Sequence, residues 1–93
     1  EIGLNGKKEL IKLANTLNKI TPKIPQNIDW ILQVEGHTDH IPIYNAKFQS
    51  NWDLSSARAI SVVEFLIKKG VKPSRLSAAG FGEFKTPLQG FGD

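Results

Sequence analysis

One succession limits what this chain can become: a strand pattern ending in glycine, a long irregular segment, an amphipathic helix also ending in glycine, and a second short strand. Ile28, Trp30, Leu32 and Val34 alternate with Asp29, Ile31, Gln33 and Glu35 up to Gly36, the period-two signature of a mostly buried strand. From Asn51 or Asp53 to Lys69, the residues Leu54, Ala57, Ile60, Val63, Leu66 and Ile67 form a wide apolar stripe, and Gly70 stands where a helix C-terminus closes. Pro73 to Arg75 read as a turn and Leu76 to Phe81 as a strand of small residues. Strand, helix and strand in that order form a βαβ unit, whose right-handed crossover makes its two strands parallel.

Ahead of this unit, Leu10, Leu13, Ala14, Leu17 and Ile20 recur at three- and four-residue spacing, which predicts a helix from about Asn5, its N-cap, to the stop at Thr21 and Pro22. Pro25, Gln26 and Asn27 turn the chain into the first strand. The 93 residues have room for one domain, 1–93, with one small core, an α/β fold of the α+β sandwich kind. Cysteine is absent, which excludes disulfides, thiolate metal sites and a cysteine nucleophile. No run approaches the ~18 apolar residues of a membrane span. Glu1 opens no signal-peptide pattern, so any anchor or export signal is expected outside these residues.

Twelve Lys and Arg against nine Asp and Glu leave a formal charge of +3, which raises the question of an anionic partner. Lys7, Lys8, Lys12, Lys19 and Lys23 recur on the first helical segment, while Lys68, Lys69 and Lys72 sit near the end of the second, where cations complement the helix dipole. No RNP-like or zinc-finger motif accompanies them, so a solvated basic face is expected rather than nucleic-acid binding.

In open α/β sheets ligands bind beyond the carboxyl ends of the strands, near the amino end of the following helix. Here that zone holds Thr38, Asp39, Asn51 and Arg58. The segment from His40 to Ser50, with Pro42, Tyr44, Asn45 and Phe48, is long enough to be functional. Each residue also has a plainer reading. Asp39 could order the loop through an Asx-turn, Arg58 could lie along the surface, and Asn51 or Asp53 could cap the helix. Trp52, Tyr44 and Phe48 read as packing for the long loop. His37, Asp39 and His40 do not suit a shared metal, because alternation sends His40 to the other side of the strand. Adjacent strand residues cannot converge as a hydrolytic triad, so His37 reads as a hydrogen-bonded structural residue. Gly80-Phe81-Gly82 lacks the rest of a dinucleotide or P-loop fingerprint and reads as a turn. No cofactor, metal or catalytic residue is implied.

Val34-Glu35-Gly36-His37-Thr38-Asp39, then Ser50-Asn51-Trp52-Asp53-Leu54-Ser55-Ser56-Ala57-Arg58-Ala59, then Gly70-Val71, Arg75-Leu76 and Gly80-Phe81-Gly82-Glu83 together carry a resemblance. Over nearly the whole chain they resemble the OmpA-like peptidoglycan-binding domain family. The resemblance implies a βαβαβ-type domain with helices packed on one mixed sheet, its outer strands truncated here. It also implies a non-catalytic anchor that grips the diaminopimelate of the cell-wall stem peptide. Asp39 matches the motif aspartate, Arg58 the motif arginine and Asn51 the motif asparagine, while Thr38 and Leu54 sit where they could complete the pocket. The chemistry fits. The free end of diaminopimelate is a zwitterion; Arg58 can take its carboxylate through two parallel hydrogen bonds and Asp39 can accept from its ammonium.

The loop between Asp39 and Asn51 is longer than in the compact outer-membrane version, and with Ser50-Asn51-Trp52-Asp53-Leu54 it is more similar to the motility protein B branch, the flagellar stator anchor. The family's closing Asn-Arg-Arg segment and last strand have no counterpart up to Asp93, and its first strand is expected before Glu1. The implied location is the periplasm of a diderm bacterium, tethered to the outer membrane or, as a stator component, to the inner one. Membrane contact would then run only through flanking segments, and a homodimer is left open. The competitor from another class is a periplasmic wall-modifying enzyme, which would need a convergent acid, base or metal set.

Overall fold

The computed structural model describes residues 4–39, 41 and 47–84. Helix α1 spans Leu4–Ile20 and runs into a 3-10 turn at Thr21–Lys23; strand β1 spans Leu32–Gly36, helix α2 Asn51–Lys68, a second 3-10 turn Pro73–Arg75, and strand β2 Leu76–Gly80. The two strands pair in parallel, with Leu32 opposite Leu76 and Gly36 opposite Gly80. This is the βαβ unit expected from the succession of patterns, with α2 as its crossover.

Strand β1 is shorter than the alternation predicts. Ile28 and Ile31 lie outside it and are 48% and 54% exposed, not buried. The partner explains the difference: β2 begins only at Leu76, preceded by the Pro73–Arg75 turn, so residues 28–31 have no ladder to join among the described residues. Arg75 holds that segment instead. Its Nη1 donates to the Trp30 carbonyl at 2.8 Å and to Asp29 Oδ1 at 3.1 Å, and its guanidinium lies 5.1 Å from the centre of the Trp30 ring.

The core gathers Ala14 and Leu17 of α1, Leu66 of α2 and Val71, with Leu32, Val34, Val62 and Leu76 packed against them. Leu66 is fully buried, and truncating such a residue to alanine costs ~2 to 5 kcal/mol. Alpha-helical residues start at Leu4, so Asn5 lies inside α1 and is not its N-cap. At the other end the Thr21 hydroxyl donates to the Leu17 carbonyl at 2.6 Å, and Pro22 cannot continue the helix. Asn18 then ties the two helix ends together, its Nδ2 donating to the Lys69 carbonyl at 2.8 Å.

Helix α2 stops as the sequence suggests. Gly70 has φ of +102°, its N–H donates to Ile67, and the Val71 N–H donates to Leu66 at 3.1 Å. That pair of bonds is a Schellman closure, and the residues it brackets, Leu66 and Val71, meet in the core.

Candidate functional site

The amino end of α2 lies against the carboxyl ends of both strands. A Cβ placed on Gly36 would run into the Ser55 carbonyl, and one on Gly80 would run into the Ser56 hydroxyl. Two glycines opposite one another in the ladder therefore let the helix sit directly on the strand ends. Beyond them the pairing continues into the loops, with Phe81 N–H donating to Gly36 at 3.1 Å and Thr38 N–H to Gly82 at 2.8 Å. Gly82 has φ of +61°, which favours glycine, so it does make the expected turn; Gly80 serves close approach instead.

Ser50 is the N-cap of α2. Its hydroxyl accepts from the Asp53 N–H at 3.2 Å, and Asp53 Oδ2 accepts from the Gln49 N–H at 3.2 Å. Neither Asn51 nor Asp53 is the cap, because Ser50 already has the extended backbone a cap requires, at φ −160° and ψ 169°. Asn51 is thereby released to turn inward. It is 7% exposed, and its Nδ2 donates to the Ile41 carbonyl at 3.0 Å, with the Asp39 carbonyl and Glu83 Oε1 each at 3.4 Å. One side-chain amide thus joins the loop after β1 to the loop after β2.

Ser55, fully buried, makes the parallel tie one turn on. Its hydroxyl donates to the Trp52 carbonyl at 3.1 Å and accepts from the Gly82 N–H at 2.9 Å. Trp52 covers Gly82 and stacks on Phe84 with ring centres 4.8 Å apart, so it packs the loop after β2. Sequence reasoning passed over Ser55 and Glu83 as site residues. The signal available for both was their place in the quoted motifs, not any chemistry of their own.

Thr38 is half-buried and its hydroxyl donates to the Asp39 carbonyl at 3.0 Å. Asp39 is exposed, and Oδ1 accepts from the Ile41 N–H at 3.1 Å. This is the Asx-turn of the plainer reading, and it uses one carboxylate oxygen; Oδ2 has no hydrogen bond among the described residues. Arg58, exposed on α2, makes no hydrogen bond or ion pair among the described residues. Together with Lys47, Phe48, Leu54 and Ala57 it lines a cleft of about 330 Å³.

The five expected residues thus fall into two groups. Thr38, Asp39 and Asn51 are bonded to one another, while Leu54 and Arg58 share the cleft. Helix geometry links the groups, since Asn51, Leu54 and Arg58 are three and four residues apart and lie along one face of α2. Asn51 and Arg58 are two turns apart, about 10 Å along the axis, and side chains tilt toward the helix N-terminus. Arg58 is thereby carried toward the loop that holds Asp39, without pairing to it. His40, Pro42, Tyr44 and Asn45 lie outside the described residues.

His37 is structural in its surroundings. Its Nε2 lies 3.3 Å from Glu35 Oε1, whose other oxygen accepts from Gln33, and the imidazole stacks on Phe81 at 5.5 Å. A second cleft of about 330 Å³ opens at the opposite end of the strands between Pro22, Pro25, Trp30 and Val71, but the arginine in its wall is the engaged Arg75.

The OmpA family model matches residues 2–90. Motility protein B of Bacillus subtilis (strain 168) is 40% identical over 81 residues, covering 85% of this chain and 30% of that protein. The periplasmic domain of Helicobacter pylori MotB superposes with a TM-score of 0.74 at 26% identity, over 99% of this chain and 54% of that one. The cell wall anchor of the T6SS from Pseudomonas aeruginosa superposes with a TM-score of 0.73 at 27% identity, over 95% and 55%. The chain therefore spans about a third of the curated relative and about half of each solved one. Family match, shared fold and the arrangement of the strand-end motif agree, and the chain belongs to the OmpA family.

Proposed function

We propose that this domain holds bacterial peptidoglycan without cleaving it, gripping the zwitterionic end of diaminopimelate in the stem peptide. The observation that carries the reading is the state of two charges on one side of α2. Among the described residues, Asp39 is fixed through one oxygen and keeps the other available, and Arg58 lines a cleft with its guanidinium uncommitted. Arg58 takes the ligand carboxylate in a bidentate contact, and Asp39 Oδ2 accepts from the ammonium. Leu54 and Phe48 supply the apolar wall for the methylene chain between the two ends of the ligand. Thr38 and Asn51 fix the loop that presents Asp39.

Two of the hydroxyls near the site are committed to holding the structure together. Ser50 is used as the cap and Ser55 as a buried tie, so neither is placed as a nucleophile beside a base. The likeness to a cell wall anchor and to a periplasmic MotB domain supports a wall-binding module working in the periplasm. The likeness to motility protein B supports the stator branch with an inner-membrane tether, and the likeness to outer membrane protein A of Serratia odorifera supports an outer-membrane tether equally.

Co-sedimentation with purified sacculi tests the proposal. In about 0.3 M salt, where loose ionic attachment is screened, the domain is expected in the pellet, with no soluble muropeptides released on prolonged incubation. Domain left in the supernatant, or fragments appearing with time, would contradict it.

A further inference from the structure

The charge of the molecule is divided between its two ends. Around the strand ends lie Glu35, Asp39, Asp53 and Glu83 against Lys47 and Arg58, whereas residues 4–23 carry five lysines and residues 60–72 three more, against only Glu9 and Glu64. Lys8, Lys12 and Lys19 are four and seven residues apart, so they form one stripe about 16 Å long on α1. All three are exposed, and the stripe lies opposite the buried Ala14 and Leu17. Lys7, Lys68 at the end of α2 and Lys69 just after it continue the positive surface around an open groove that Ser61, Glu64 and Phe65 complete.

Local structure accounts for only part of this. Lys68 and Lys69 suit the carboxyl end of α2, but Lys7 and Lys8 occupy the amino end of α1, where the dipole disfavours cations and the first turn has no acid. Lys8 and Lys12 are like charges at i,i+4, which also destabilises a helix. Among the described residues the one ion pair on α1, Lys12 with Glu9, is long at 3.9 Å, and each side chain is 76% exposed.

We infer that this lysine face is a second wall-contact surface, which takes the free carboxylates of stem peptides on a neighbouring strand of the polymer. The inference rests on the proposed wall-binding role, which puts the domain inside a mesh that repeats carboxylates on every side. The strand end does not serve the same purpose, since among the described residues its acids Glu35, Asp39, Asp53 and Glu83 outnumber Lys47 and Arg58. The contact is ionic, without fixed geometry, and its strength falls with salt, whereas the Asp39 and Arg58 site reads one ligand end in a defined pose.

The test compares wild type, the triple variant Lys8→Gln, Lys12→Gln, Lys19→Gln, and Arg58→Ala on purified sacculi across a salt series, with circular dichroism to verify folding. The triple variant is expected to need about three- to tenfold more sacculi for half-binding at about 50 mM salt, with the gap closing by about 0.5 M. Its affinity for a soluble diaminopimelate stem peptide stays that of wild type. On sacculi whose carboxylates have been amidated with a carbodiimide, the difference between wild type and triple variant disappears. Arg58→Ala loses the soluble peptide yet keeps a salt-sensitive attachment to sacculi, so failure of the diaminopimelate site and failure of the lysine face read out separately. Coincident wild-type and triple-variant curves at every salt concentration overturn the inference. So does a difference that survives carboxylate amidation, or one that is seen on phosphatidylglycerol vesicles and not on sacculi.

Discussion

Gly36 and Gly80 are partners across the parallel ladder, and both lie so close to the Ser55–Ser56 stretch of α2 that a methyl group on either would overlap it. Backbone obstructs both positions: at Gly36 the obstructing atoms are all Ser55 backbone, and at Gly80 the Ser56 backbone nitrogen stands behind the Ser56 hydroxyl, so rotating the hydroxyl alone does not clear the methyl. Gly36→Ala and Gly80→Ala should therefore each cost about 3 kcal/mol, the upper end of the range for overpacked sites. For a domain this size each kcal/mol lowers the melting temperature by ~4 to 8 °C, which calorimetry resolves. Wild-type melting of Gly36→Ala would refute the close approach.

Ser55→Ala removes a buried acceptor from the Gly82 N–H and leaves that donor unpaired. The expected loss is ~1 to 3 kcal/mol in chemical denaturation. Hydrogen exchange should accelerate most at Gly82 and Thr38, because the Thr38 N–H depends on the Gly82 carbonyl. Uniform acceleration across the domain would mean that Ser55 acts on global stability alone.

Asn51 separates positioning from contact. Asn51→Asp replaces a donor by a carboxylate facing the Asp39 and Ile41 carbonyls and the Glu83 carboxylate, all acceptors. It should weaken stem-peptide binding by at least about tenfold, with the double variant Asn51→Asp, Glu83→Gln recovering part of the loss through relief of the charge conflict. No recovery would show that Asn51 meets the ligand directly and does not act through the loops.

What the sequence revealed and what it concealed have separable causes. Helix α2, its closure at Gly70 and the parallel pairing were legible because apolar periodicity and a terminal glycine are local signals. The cap expected at Asn51 or Asp53 falls on Ser50 instead, because all three types favour that position and the extended backbone of Ser50, with Asn51 buried between two loops, distinguishes them. Residues 28–31 alternate like a strand yet are not one, since strand formation needs a partner and the Pro73–Arg75 turn withholds it. Gly80 reads as a turn residue in sequence; that it faces Ser56 depends on how a helix packs across the chain.

The proposed roles of Asp39 and Arg58 make a prediction about ligand identity. A stem peptide with diaminopimelate should bind at least about tenfold more tightly than the same peptide with lysine there, which lacks the carboxylate. Amidated diaminopimelate should bind as poorly as lysine, because its NH₂ group would face a guanidinium that has only donors. Calorimetric titration of the three matched peptides decides; equal affinities would mean that Arg58 does not read the carboxylate.

The most direct measurement is the titration of a soluble diaminopimelate stem peptide into wild type, Arg58→Lys and Arg58→Ala, each shown to be folded. Arg58→Ala removes both proposed hydrogen bonds to the ligand carboxylate at once, so it should show no measurable binding under conditions where wild type saturates. Arg58→Lys should be weakened at least about tenfold, since a point charge cannot reproduce the planar fork. Arg58→Ala that binds like wild type would contradict the account at its centre.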